Sequence, residues 1–128
     1  MAIGKTAGLS KSVKSTAAIA VANTIAKFGA DDDTMSIAAA VTDNMVGIFQ
    51  HITSAAGKQV EVMLTGISDL KIAGTVTRGD LITSNASGQG VTAAPAAGVN
   101  NNVVGTAMRS GVTGDVIPVL LGPSQIQG

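Results

Sequence analysis

Glycine, asparagine, aspartate and proline cut residues 35–121 of this chain into short runs rich in Val and Ile. The interruptions recur about every 8–12 residues, the spacing of short strands in a β-sandwich or barrel. Text broken this often leaves no apolar run of about 18 residues, so nothing reads as a membrane span. The runs themselves alternate. Residues 59–64 (QVEVML) and 69–72 (DLKI) place apolar side chains at every second position, the period of a half-buried strand. Further strands are expected at 35–41, at 46–49 with a possible extension to 52, at 81–83, 90–93, 103–108 and 115–121. Loops are expected at 54–58, 85–88 and 95–102. Pro118 lacks a ladder donor and marks its strand as an edge or as bulged.

The segment 16–28 (TAAIAVANTIAKF) is ambiguous. Alanine favours helix, yet Ile19, Val21 and Ile25 alternate with Ala18, Ala20 and Ala22 around Asn23. The alternation favours a strand. The expected fold is therefore all-β: a small single-domain β-sandwich or barrel of short strands. Residues 16–128 form one β domain, preceded by an extended N-terminal arm at 1–15. Two stretches inside it are similar. Asn44–Gly47, a glycine-containing loop and residues 60–68 correspond to Asn102–Gly105, a second such loop and residues 116–124, shifted by 58 residues before the loop and 56 after it. They suggest two related hairpin units.

The side chains available for a core are small. The hydrophobic fraction is 45%, but Phe28 and Phe49 are the only aromatic residues. Each small side chain removes little area from water, so self-association is expected: a homotrimer, with a dimer as runner-up. Net charge is zero, but residues 1–28 carry four lysines and no acid, while residues 29–128 carry four cations and eight acids. The basic segment reads either as a solvated terminus or as an arm docking on something acidic. Lys5, Leu9, Lys11, Val13 and Lys14 are its candidate contact residues. Without aromatics or arginines among the lysines, nucleic acid is not expected as a partner.

No constellation points to catalysis. The absence of cysteine excludes thiolate metal sites and thiol nucleophiles, and one histidine excludes a multi-histidine centre. His51 has Asp43 or Asp69 as candidate partners, but no constrained nucleophile turn accompanies it. Asp31-Asp32-Asp33 lacks the spacing of a calcium loop and reads as a turn. Arg78-Gly79-Asp80 reads as a turn between strands. Gly111-Val112-Thr113-Gly114 lacks the Lys-Ser/Thr ending of a phosphate loop. No catalytic, cofactor or metal site is expected. A small β module that binds ligand or carbohydrate is the alternative function, although it would normally present Trp or Tyr platforms.

The ordered turn series is itself informative. Phe28-Gly29-Ala30-Asp31-Asp32, Val46-Gly47-Ile48, Val60-Glu61-Val62, Gly74-Thr75-Val76-Thr77-Arg78-Gly79-Asp80, Val104-Gly105-Thr106-Ala107 and Gly114-Asp115-Val116-Ile117 occur in this order. The series resembles that of the capsid cement, or head decoration, proteins of tailed phages and prophages, over about residues 15–122. The chain departs from it at Ala73-Gly74, often Gly-Gly in that family, and at Asn85, often Asp. The resemblance implies a non-enzymatic protein made in the host bacterial cytoplasm. It implies a place on the outer surface of an icosahedral head, where the protein ties capsomers of the major capsid protein together.

Overall fold

The computed structural model describes residues 9–19, 21–29, 31–52 and 55–127, which contain ten strands and no helix. Five strands close into a barrel in the order β1-β3-β2-β4-β5: β1 Ser10–Ser15, β2 Ile25–Phe28, β3 Thr34–Ile37, β4 Met45–Phe49 and β5 Gln59–Met63. The other five form a second sheet in the order β6-β10-β9-β7-β8: β6 Ile67–Lys71, β7 Leu81–Ser84, β8 Gly90–Thr92, β9 Asn100–Ala107 and β10 Val116–Gln127. The fold is all-β, as the spacing of turns predicts.

The small side chains suit the barrel. Barrel diameter grows with strand number, so five strands enclose a narrow interior. Val13, Ile19, Ala26, Met35, Phe49, Val60 and Val62 fill it, and Phe49 is its one aromatic ring. A second core lies between the barrel wall and the second sheet. Ile25, Ile48 and Met63 come from the barrel; Leu70, Ile82, Ile117 and Val119 come from the sheet. The two sheets therefore share buried surface and form one body.

Residues 10–15 are extended, but they are not an arm. They are β1, paired antiparallel with β5 from Ser10↔Met63 to Lys14↔Gln59 and parallel with β3. Only Val13 and Ser15 are buried there, so one apolar residue carries the alternation and the run SKSVKS reads as irregular. The β body thus begins before residue 16. The strand expected across 16–28 is confined to β2. Asn23 has φ 61°, a left-handed conformation that asparagine tolerates and a strand does not continue through. β3 stops at Ile37 because Asp43 Oδ2 accepts the amides of Ala39 and Ala40 at 2.7 and 3.0 Å, which turns the chain.

Pro118 stands in an interior strand, between β6 and β9, and not at an edge. The register shift in β10 lies between Leu121 and Ser124. The Met108 amide donates to the Pro118 carbonyl at 3.0 Å, just past the last β9–β10 register pair, Ala107↔Val119. The bond that proline cannot return therefore falls at the end of the ladder, where its loss disturbs least. β9 starts earlier than expected, at Asn100, and β10 runs on to Gln127. Asn is a poor strand former, but the Asn102 side-chain amide donates to the carbonyls of Thr42 and Asp43, which ties this ribbon to the barrel.

The related hairpins are β4–β5 and β9–β10. Ile48↔Met63 and Phe49↔Val62 correspond to Thr106↔Leu120 and Ala107↔Val119. The second strands thus match one residue later than the sequence comparison places them, because the β9–β10 loop is one residue shorter. Gly47 and Gly105 occupy the same place in the two units. A Cβ on Gly47 would collide with the Met63 carbonyl oxygen, and one on Gly105 with that of Leu120.

The second sheet also curls. Ile72, just past β6, makes a parallel bridge with Gly90 at the start of β8, and the Ala73 amide donates to the Gly90 carbonyl at 2.9 Å. Its two edges therefore meet. A side chain at residue 90 would strike Leu70 and Ile82, so the closure depends on glycine there.

Candidate functional site

Of the five N-terminal candidates, Lys5 lies outside the described residues. Leu9 is 60% exposed, and its amide donates to Thr65 Oγ1 at 2.7 Å. Lys11 is exposed, and its Nζ lies 3.6 Å from Asp33 Oδ1. Lys14 is exposed. Val13 is 2% exposed and belongs to the barrel core, so its side chain cannot face a partner. Strand alternation sets Lys14 on the opposite side of β1 from Lys11 and Val13, and Val13 is buried, so these residues do not form one contact face.

Lys11 and Val13 instead lead to a different surface. Phe28 ends β2 with the inward parity of Ala26, opposite Met35 of β3, but it stands at the barrel mouth and is 60% exposed. The next residue, Gly29, has no room for a side chain, because a Cβ would collide with the hydroxyls of Thr16 and Thr34. The chain then reverses through the acidic turn. Thr34 Oγ1 donates to the Asp31 carbonyl at 2.6 Å and accepts the Asp31 amide at 3.1 Å, and Asp33 has φ 64°. This turn, Lys11 and the floor residues Val13 and Met35 bound an open groove of about 580 Å³ beside Phe28. On the other side of the ring, Met45, Val46, Val103 and Pro123 line a second groove of about 370 Å³, rimmed by Asn44, Asn102 and Ser124. Phe28 is thus a ridge between two grooves. Among the described residues, Asp31 and Asp32 have no cationic partner.

The remaining motifs serve the fold. Asp80 Oδ2 accepts the Thr77 amide at 2.9 Å and the Thr92 hydroxyl at 3.0 Å. The Arg78 amide donates to Ser110 Oγ at 2.9 Å, and Gly79 has φ 97°; the tripeptide is a built turn. Gly111 bridges to Val76, and Asp115 Oδ2 accepts the Val112 amide. His51 is exposed, with Nε2 3.7 Å from Glu61 Oε1; its neighbour is neither Asp43 nor Asp69. Asp43 ties β2 to the turn before β4, 3.4 Å from Lys27 Nζ. Burial works against its charge, but the Ala39 amide, Lys27 and the Ala40 amide outweigh that and hold its carboxyl below the ordinary value of 3.8. Among the described residues no three His, Asp or Glu side chains are placed to hold a metal ion. Among the described residues the arrangement offers surfaces for contact, and no convergent acid, base and nucleophile.

No known family profile matches the sequence, and no curated protein matches it. The fold does have solved neighbours. The head fiber gp8.5 N base of bacteriophage phi29 superposes with a TM-score of 0.65 at 15% sequence identity. The match covers 94% of this chain and 98% of that one. The chain therefore shares the fold of a phage head fiber base across nearly the whole of both.

Proposed function

We propose that this chain is a non-enzymatic structural protein of a tailed-phage virion, bound to the outer surface of the head, where it cements neighbouring capsomers of the major capsid protein. The near end-to-end fold likeness to the phi29 head fiber base carries this reading. The resemblance of the turn series to that of head decoration proteins is a separate support, since the phi29 match has little sequence identity. The architecture suits the task. Two sheets with a shared core make one body whose exposed side chains can supply the contacts. In this reading Lys14, exposed on β1, belongs to the capsid-facing surface.

The protein acts as a homotrimer, with a dimer as the second choice. Apolar side chains that the two cores leave outside, among them Val116 and Leu120 on β10, supply area to bury between copies. Repetition over a head lattice then multiplies weak individual contacts. The test is decoration of bare heads, assembled from the major capsid protein of the phage or prophage that encodes this chain, followed by sedimentation and cryo-EM. Ordered density at a symmetry-related set of outer sites and a raised temperature of head disruption are expected. Heads that sediment free of the protein at saturating concentration would overturn the reading.

A further inference from the structure

The geometry points to the Phe28 ridge and its flanking grooves as a docking surface for a cationic loop of the partner protein. The inference rests on the head-protein reading, and it names the chemistry of the contact. One of two aromatic rings in the chain is spent on solvent: Phe49 fills the barrel, whereas Phe28 is 60% exposed at its mouth. The ring is held in place. Its residue pairs with Met35, and the Phe28 amide is bonded to the Asn44 carbonyl. Gly29 lets the acidic turn fold back close beside it.

The two grooves give the ring accessible flanks, one floored by Val13 and Met35 and the other by Met45 and Val103. Charge then selects the occupant. Three carboxylates, of Asp31, Asp32 and Asp33, face one ammonium, of Lys11, and Lys11 is taken by Asp33. Among the described residues Asp31 and Asp32 are left uncompensated on the rim. An arginine or lysine from a partner would lie against the ring face, where a cation is attracted by the aromatic quadrupole. Its charge would meet the two free carboxylates. An acidic or purely apolar segment would leave them unanswered. A second copy meeting this surface across a twofold axis would bring its own acidic turn against it, so the occupant is assigned to a loop of a different protein.

The test is binding of full-length protein to bare heads at low and high salt, with Phe28→Ala, Phe28→Tyr and the double variant Asp31→Asn/Asp32→Asn. Circular dichroism melts confirm that each variant is folded. Phe28→Ala should weaken binding roughly tenfold, the scale of a desolvated cation–aromatic contact, and Phe28→Tyr should restore it. The double variant should bind more weakly and lose much of the salt dependence. A photo-crosslinking side chain at position 28 should label a head-protein peptide containing Lys or Arg close to the labelled site. If the wild type binds and the variants bind equally well, or if the crosslink enters an uncharged segment or a second copy, the inference is wrong while the head-protein reading survives. Failure of the wild type to bind overturns both.

Discussion

Val13 of β1 lies directly opposite Val60 of β5, and both are buried at the seam that closes the barrel. A deletion of residues 1–14 therefore removes a stave. It should abolish cooperative unfolding, as followed by circular dichroism in urea. Val13→Ala keeps the strand and should cost about 2 kcal/mol. A 1–14 deletion that melts like the full chain would show that the barrel does not need β1. Any test of contacts made by the N-terminal residues should accordingly stop before Leu9.

Gly47→Ala and Gly105→Ala should each destabilise by about 1–3 kcal/mol, because the new methyl meets a backbone carbonyl that cannot swing aside. Gly74→Ala is the control: nothing lies within 4 Å of its Cβ position, so its effect should stay within about 0.5 kcal/mol. Denaturation midpoints of the three variants measure the contrast. Equal midpoints would mean that β4–β5 and β9–β10 can open without cost.

Thr83 carries a buried hydroxyl with no hydrogen-bond partner among the described residues. Valine has nearly the same shape without the polar atom. Thr83→Val should raise stability by about 1 kcal/mol, seen as a higher urea midpoint at unchanged slope. A lower midpoint would reveal a partner for the hydroxyl.

Asp43 gives stability a defined acid dependence. Its folded carboxyl lies below the unfolded value of 3.8, held there, against burial, by the Ala39 amide, Lys27 and the Ala40 amide. The contribution is fully present above the unfolded value and is lost as pH falls through the lower, folded value. Thermal melts of the wild type from pH 6 downward should show this loss below about pH 4. Asp43→Asn should be less stable at pH 6 and should show a shallower acid decline. Parallel curves for the two proteins would count against the assignment.

Several strands were legible because burial falls on every second residue. Val60 and Val62 in β5, and Ser68 and Leu70 in β6, occupy buried positions in just that rhythm. β1 escaped notice because Val13 alone carries its pattern. The head of β9 escaped because asparagine enters a strand there only with help from the carbonyls of Thr42 and Asp43, some sixty residues away. The site was less legible than the fold. The acidic turn could be read as a turn from three consecutive aspartates. The exposure of Phe28 could not, since the same parity takes Ala26 inside the barrel and leaves Phe28 at its rim.

The meeting of Ile72 with Gly90, together with the closed barrel, leaves little unpaired backbone for another chain to add to. Among the described residues the tail of β10 past Leu121 pairs on one side only, with β9, and Pro123 there has no amide to offer. Strand addition reads the main chain, which is nearly the same in every protein, so a body with this much of its backbone paired offers it few sites. Its choice of partner is written mostly in side chains. Such a scaffold can change partners by surface substitutions and keep its backbone through the change.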